Sequence, residues 1–216
     1  MLKLVIFDFD GTLVDTIQDV AICFNEALRF YGFPEWTLDD MCTLIGGDLE
    51  TIVSKLLPKN EVSRTNIDNV KAKYRELYLA YDKPNSLPYP GIMDMLNELK
   101  QKNIKIAVNS NKGQMLLDNM VSKIFGHAFF DCVVGYSEER PSKPDPFGVE
   151  LILKETNIER EMAIYVGDGA SDIKTAYNSG IPCCFVTWGQ GNDVRKESKF
   201  EVNTVEELEN CLLNGI

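Results

Sequence analysis

The chain has 216 residues, 44% of them hydrophobic and 25% charged, which is the balance of an ordinary globular protein. Its formal net charge of −11 argues against nucleic-acid binding as the main activity, because that binding rests on clustered Lys and Arg. The sequence contains no long uncharged apolar segment, so no membrane span is predicted. Its six cysteines lack the C-x-x-C spacing of a zinc site or a redox pair.

The N-terminus and the cysteine thiols indicate the cellular compartment that we expect. The chain opens on a strand-like apolar run without the cleavage pattern of a secretory signal, and its thiols suit a reducing compartment, so we expect a cytoplasmic protein. His127 is the only histidine, which excludes a multi-histidine metal site. A monomer is the default expectation.

The first predicted element is a strand over Leu4 to Phe7, whose continuous apolar character suits a strand buried on both faces of a parallel sheet. Asp8 and Asp10 follow it, and Gly11 allows a sharp turn. If the strand alternation continues, both carboxylates face one small volume, where Mg²⁺ would relieve their repulsion. The D-x-D-G tetrapeptide alone is equally consistent with a solvated acidic turn.

The following stretch, from about Thr16 to Asn85, predicts helices and no strands. Four apolar stripes at helical spacing indicate them. They cover Ile17 to Tyr31, Leu38 to Leu44, Leu49 to Leu57 and Ile67 to Tyr81.

From Gly91 onwards, helices alternate with short apolar strands. The first of these helices covers Ile92 to Leu99. The predicted strands are Ile104 to Val108, Cys132 to Gly135, Ala163 to Val166 and Cys183 to Thr187, and the predicted helices are Gln114 to Ile124, Phe147 to Thr156, Asp172 to Ser179 and Val205 to Leu213. Such alternation predicts an α/β fold with parallel strands and right-handed crossovers, interrupted by the helical block as an insertion.

Polar groups follow two of these strands. Ser110 and Asn111 precede a helix and could cradle a phosphate at its N-terminus, or one of them could simply cap the helix. Asp168 ends the strand from Ala163, and Asp172 could face the same sheet edge or only favour the helix dipole.

Lys143 lies in a proline-rich loop. Asp145 suits an N-cap and Pro146 a first helical position. The prolines restrict the backbone and would help to hold Lys143, whose ammonium could balance the acids and a phosphoryl group. An exposed loop lysine is the alternative.

In this order, the motifs resemble the haloacid dehalogenase superfamily. The motifs are D-x-D-G-T at Asp8 to Thr12, Ser110 after a strand, Lys143 before Pro144-Asp145, and G-D-x-x-x-D at Gly167 to Asp172. The resemblance implies a three-layer Rossmann-like parallel sheet core over 1–15 and 86–216, with an inserted all-helical cap over 16–85. Within the family, the chain is most similar to phosphoglycolate phosphatase-type hydrolases, including Gly46 and Gly47 in the cap.

The resemblance implies a Mg²⁺-dependent phosphatase that acts on a small phosphorylated metabolite. Asp8 would be the nucleophile that forms an aspartyl-phosphate, and Asp10 the general acid and base. The implied metal ligands are Asp8, the Asp10 carbonyl, Asp168 and Asp172, the last directly or through water. The implied substrate-side residues are Gly11 and Thr12 in the loop, Ser110, Asn111 and Lys143 on the phosphoryl group, and Gly46 and Gly47 in substrate discrimination.

Other activities remain open. Asp10 argues against a dehalogenase, which would need neither that acid nor a metal. A sugar phosphomutase would retain Asp10, although that subgroup typically has a histidine early in the cap. A pyrophosphatase, a nucleotidase and, from another class, a non-catalytic phosphate-binding regulatory module are the further alternatives.

Overall fold

The structure is a computed structural model that describes residues 1–190 and 200–214. The chain divides into two compact units, one formed by Met1–Val14 and Pro88–Ile216 and the other by Asp15–Leu87. None of the helices in the described ranges combines the length and the apolar character that a membrane crossing requires.

The first unit contains a six-stranded sheet. The strands of the chain are β1 (Leu4–Phe7), β2 (Val14–Asp15), β3 (Leu87–Pro88), β4 (Lys105–Gly113), β5 (Cys132–Tyr136), β6 (Ala163–Gly167), β7 (Cys183–Val186) and β8 (Phe200–Val202). The large sheet has the order β5-β4-β1-β6-β7-β8 and every pairing in it is parallel, while β2 and β3 form a separate two-stranded sheet. The predicted α/β class with a parallel sheet is therefore confirmed.

Strand β1 lies in the middle of this sheet. Its four residues are completely buried, and Leu4 pairs with Lys105 on one side and with Ala163 on the other. An apolar strand with neighbours on both sides and no exposed face matches the sequence-based expectation. The carboxyl ends of β1, β4 and β6 consequently lie side by side at one edge, which is where open α/β sheets bind ligands.

Helices flank the sheet. Those of the first unit are α5 (Ile92–Gln101), α6 (Gln114–Phe125), α7 (Phe147–Thr156), α8 (Ala170–Asn178) and α9 (Val205–Asn214). One core cluster combines Leu4 and Ile6 of β1 and Tyr165 of β6 with Ile152 of α7 and Ile173 of α8. Burial of these apolar side chains fixes the sheet that carries the polar edge.

Several local predictions are corrected. The strand β8 is absent from the prediction, and β4 extends through Gly113 with an irregular register after Asn109. The N-cap of α6 is Gly113, so neither Ser110 nor Asn111 caps that helix.

The start of helix α7 is also corrected. Its N-cap is Pro146, not Asp145, although the Asp145 carboxylate still accepts a hydrogen bond of 2.9 Å from the Phe147 N–H. Helix α8 begins at Ala170 rather than Asp172, because Gly169 occupies the N-cap and Asp172 the third helical position.

The second unit is a bundle of four helices, α1 (Ile17–Phe30), α2 (Leu38–Leu44), α3 (Leu49–Leu56) and α4 (Arg64–Ala80). Phe24 of α1 stacks on Tyr74 of α4 with ring centroids 3.8 Å apart. The side chains of Thr37, Asp48 and Ser63 cap the following helices by accepting a backbone N–H, which satisfies a donor that the helix leaves free.

Candidate active site

Asp8 begins the site, directly after strand β1. Its N–H continues the sheet by donating to the Val166 carbonyl at 2.9 Å, and its Oδ1 accepts from the Phe9 N–H at 2.7 Å. The strand ends at Phe7, so strand alternation alone does not place Asp10. The chain turns instead at Gly11, whose φ of +80° favours glycine.

Three carboxylates gather at this edge. Single oxygens of Asp8, Asp168 and Asp172 all lie within 4.8 Å of one another. Phe7 and Val166 are paired residues, so the strands β1 and β6 end together and deliver Asp8 and Asp168 to the same place. Asp172 joins them from the first turn of α8, where its Oδ2 also accepts from the Gly169 N–H at 2.9 Å.

Lys143 binds two of these acids. Its Nζ lies 2.8 Å from Asp8 Oδ1 and 2.7 Å from Asp172 Oδ1, and only 3% of its side chain is exposed. Asn111 fixes the lysine backbone, because its Oδ1 accepts from the Lys143 N–H at 2.8 Å and its Nδ2 donates to the Lys143 carbonyl at 3.3 Å. The alternative of an exposed loop lysine is therefore wrong. The Lys143–Pro144 peptide bond is cis.

The burial of these charges shifts their pKa values. Burial raises the pKa of Asp8 well above its usual range, Asp172 raises it further, and Lys143 opposes both effects. Burial by itself would lower the pKa of Lys143, but Asp172 and Asp8 hold it well above its ordinary value. The lysine is therefore a fixed cation between crowded acids.

Asp168 is held by Thr12, which the sequence placed in the site, and by Gln190, which the sequence reasoning missed. Its Oδ1 accepts from the Thr12 hydroxyl at 3.0 Å and its Oδ2 from the Gln190 N–H at 2.8 Å. A Cβ at Gly11 or at Gly189 would overlap the Asp168 carboxylate, so both positions require glycine. Burial and, to a smaller extent, repulsion from Asp172 raise the pKa of Asp168 to about 6.

Trp188 completes this loop by donating from Nε1 to the Thr12 carbonyl at 3.1 Å. The available sequence signal for the loop was Gly189, which follows soon after the end of β7 at Val186. A backbone N–H donor such as that of Gln190 gives no sequence signal, because every residue except proline has one.

Asp10 is not among the three acids whose oxygens lie within 4.8 Å of one another. Its Oδ1 makes an ion pair of 3.0 Å with Lys112 Nζ. Ser110 is buried in the same segment, and its hydroxyl accepts from the Lys112 N–H at 3.2 Å. The sequence reasoning assigned no role to Lys112.

A buried pair behind the site was also missed. The Tyr165 hydroxyl donates to the Asn109 carbonyl at 3.0 Å, and Lys143 Nζ lies 6.0 Å from the centre of the Tyr165 ring. Tyr165 thus supports the β4 backbone at the residue before Ser110 and provides an aromatic face toward the lysine.

Gly46 and Gly47 belong to the helical unit. They form the exposed connection between α2 and α3, with φ values of +155° and +93°. No heavy atom lies within 4 Å of a Cβ built at either position, but these φ values strain any residue other than glycine.

The cluster suits a hard divalent cation. Three carboxylates within 4.8 Å supply the oxygen ligands that Mg²⁺ prefers, and the raised pKa values of Asp8 and Asp168 reflect negative charge crowded into a buried space. Lys143 offsets part of this charge. Asp8, Asp168 and Asp172 thus fit a magnesium ion in donor type and spacing.

A parallel α/β sheet with three clustered carboxylates and a lysine at its carboxyl edge suits an enzyme that transfers phosphoryl groups. The sequence profile of the haloacid dehalogenase-like hydrolase family matches residues 5–186. The chain belongs to that family, and it is a phosphatase similar to phosphoglycolate phosphatases.

Individual relatives are similar to this chain in sequence and in structure. A phosphoglycolate phosphatase of Aquifex aeolicus is 31% identical over 188 residues, which cover 87% of this chain and 86% of the relative. That of Agrobacterium fabrum is 30% identical over 188 residues, covering 86% and 81%. A crystal structure from Lactobacillus delbrueckii, provisionally described as a phosphoglycolate phosphatase, superposes with a TM-score of 0.91 at 27% identity and covers 97% of this chain and 98% of its own.

Proposed function

We propose that the chain is a Mg²⁺-dependent phosphatase that hydrolyses 2-phosphoglycolate or a closely similar small phosphomonoester. The observation that carries this proposal is the contact of Lys143 with both Asp8 and Asp172 inside a cluster of three carboxylates. The substrate class is supported by the two phosphoglycolate phosphatases that are about 30% identical over most of the chain.

Asp8 is the proposed nucleophile. One of its carboxylate oxygens attacks phosphorus and forms an aspartyl-phosphate as the bond from phosphorus to the alcohol oxygen breaks. The hydrogen bond from the Phe9 N–H and the ion pair with Lys143 both reach Oδ1, which fixes the orientation of the carboxylate. Such preorganisation lowers the cost of bringing the nucleophile in line with phosphorus.

Asp10 is the proposed acid and base. It donates its proton to the departing alcohol oxygen in the first step, and in the second it takes a proton from the water that cleaves the aspartyl-phosphate. About one third of its side chain is exposed, in contrast to the buried Asp168 and Asp172, so protons can exchange with solvent there.

The phosphoryl oxygens are proposed to bind Lys143, Ser110 and Asn111, with Gly11 and Thr12 shaping the loop beside them. Asp8, Asp168, Asp172 and the Asp10 carbonyl would hold Mg²⁺. When bound, the ion supplies positive charge that screens the nucleophile from the phosphoryl group. Preorganised positive charge at this position stabilises the charge that develops in the transition state.

From the family resemblance, we also propose that residues 16–85 act as a mobile cap and residues 1–15 and 86–216 as the catalytic domain. Gly46 and Gly47 would contribute to substrate discrimination in the cap. We further propose that the enzyme acts in the cytoplasm as a monomer.

Hydrolysis assays test this function. The purified enzyme should release phosphate from 2-phosphoglycolate with Mg²⁺ and lose this activity in EDTA. A panel of sugar phosphates, nucleotides and pyrophosphate measures the preference by kcat/KM. Preference for pyrophosphate or a nucleotide would replace the proposed substrate, whereas phosphate binding without hydrolysis of any ester would reduce the protein to a binding module.

A further inference from the structure

Lys112 is a second buried cation at the catalytic edge, and the mechanism above gives it no role. Its Nζ lies 3.0 Å from Asp10 Oδ1, and 7% of its side chain is exposed compared with 32% for Asp10. An ammonium that is withdrawn from water to this extent requires an anion beside it. Asp10 supplies that anion in this structure.

The backbone around Lys112 is specifically constrained. The register of strand β4 becomes irregular between Asn109 and Gly113, and such irregularities re-aim side chains near active sites. The Lys112 N–H donates to the Ser110 hydroxyl at 3.2 Å. On the neighbouring strand, a Cβ at Gly135 would lie 2.8 Å from the Lys112 carbonyl oxygen, so glycine permits this close approach.

In the ion pairs described here, the two lysines of the edge contact different acids. Lys143 contacts Asp8 and Asp172, which are assigned to the nucleophile and the metal site. Lys112 contacts Asp10, which is assigned to the leaving oxygen. Positive charge is therefore placed both where the phosphoryl group must bind and where the leaving group must depart.

We propose that Lys112 determines substrate specificity by binding a carboxylate on the leaving group, an inference that rests on the proposed function. In 2-phosphoglycolate a single methylene separates the carboxylate from the ester oxygen, so the group that Lys112 binds lies next to the atom that Asp10 protonates. An ammonium has three donor hydrogens and can contact Asp10 and the substrate together. The substrate class is phosphomonoesters of small hydroxy acids.

The test compares two esters that differ in this group. The kcat/KM for 2-phosphoglycolate and for 2-hydroxyethyl phosphate, which has a neutral CH₂OH in place of the carboxylate, is measured for wild type, Lys112→Met, Lys112→Arg and Lys102→Met. Lys102 is the matched control, because it is an exposed lysine whose Nζ lies 3.5 Å from Glu98.

The expected result is a selective loss. Lys112→Met should lower the preference for 2-phosphoglycolate over 2-hydroxyethyl phosphate by about 10- to 100-fold, the effect of removing a hydrogen bond between charged groups. Lys112→Arg should retain most of the preference, because it keeps the charge, and Lys102→Met should retain all of it. Hydrolysis of 2-hydroxyethyl phosphate by each variant also reports that it is folded.

Other results overturn the inference. An equal loss for both esters in Lys112→Met would mean that Lys112 only positions Asp10, and no loss for either would remove both roles. If Lys112→Met does not fold, Lys112→Gln is measured by the same ratio. A wild type that hydrolyses both esters equally well would contradict the specificity role alone, whereas a wild type that hydrolyses no phosphomonoester would contradict the proposed function as well.

Discussion

The two compact units both bury carboxylates but surround them differently. Asp19 in the helical unit is fully buried, and it accepts hydrogen bonds from the Asn85 N–H at 3.1 Å, from Asn85 Nδ2 at 2.8 Å and from the Ser86 hydroxyl at 2.6 Å. All of these donors are neutral. At the sheet edge, in contrast, Asp8 and Asp168 lie in contact range of a third carboxylate, and a lysine offsets only part of their charge.

This difference separates a structural acid from a catalytic one. Asp19 sits in the first turn of α1, where the helix dipole and the hydrogen bonds both favour its negative charge. Burial and mutual repulsion instead raise the pKa of Asp8 and of Asp168. A buried acid alone does not mark a functional site, but several that disfavour one another do, because folding alone would not select such repulsion.

The largest expected effect comes from removing the nucleophile. Asp8→Asn should lower kcat by about 10⁴-fold or more, because an amide cannot form the covalent phosphoryl intermediate. Phosphate release from the preferred ester measures this loss, and circular dichroism measures the fold. Asp8→Asn with near-normal turnover would contradict the assignment of the nucleophile.

Removing the shared cation should have the next largest effect. Lys143→Met leaves Asp8 and Asp172 without their ammonium, which should cost about 3 kcal/mol of the free energy of unfolding in EDTA. Lys71→Met is the matched control in the helical unit, where Lys71 pairs with the half-exposed Glu50 at 3.2 Å and the expected loss is below about 1 kcal/mol. Urea denaturation of both variants measures the difference, and equal losses would contradict the comparison.

The pH dependence of magnesium stabilisation sharpens the comparison further. The pKa of Asp168 is raised from 3.8 to about 6 in the folded chain, so the folded state holds a proton that the unfolded state has already released. The metal-free protein should therefore lose stability, by about 3 kcal/mol from this group, as the pH rises from about 4 through about 6. Magnesium should offset this loss, because it neutralises the ionised cluster.

Thermal unfolding measures this effect. The rise in Tm on adding Mg²⁺ should be larger at about pH 7.5 than at about pH 5, where Asp168 still carries its proton and the ion must displace it. Asp168→Asn is the control, and it should reduce the pH dependence of the rise. A rise of equal size at both pH values would contradict the assignment of a protonated Asp168 at low pH.

The sequence predicts the elements that depend on local pattern. Continuous apolar runs identify β1 and β6, because a central parallel strand buries both faces and therefore carries apolar residues at every position. The acids of the site follow from the same logic, since residues that come after such strands lie at the ligand-binding edge. Strand β8 is not predicted because its three residues, Phe200–Val202, are too short to show a period.

The missed part of the site depends on contacts that are distant along the chain. Gln190 reaches Asp168 through a backbone N–H, and Trp188 reaches the Thr12 carbonyl, 176 residues earlier. Neither donor differs in sequence from an ordinary loop residue. The pairing of Lys112 with Asp10 depends on the irregular register of β4, which strand alternation cannot anticipate.

The smallest predicted effect has opposite signs in the two units. Asn in place of Asp8 removes a charge that the folded state disfavours, so Asp8→Asn should raise the free energy of unfolding in EDTA by about 1 kcal/mol at neutral pH. Asn in place of Asp19 puts an amide donor against the donors of Asn85 and Ser86, so Asp19→Asn should lower it by about 1–2 kcal/mol. Urea denaturation of both variants measures the sign of each change.

Magnesium is the control for this comparison. It should remove the difference in free energy of unfolding between Asp8→Asn and wild type and leave the difference between Asp19→Asn and wild type unchanged, because only the sheet-edge acids are proposed to bind the ion. A loss of stability in both variants would mean that the two kinds of buried acid are equivalent.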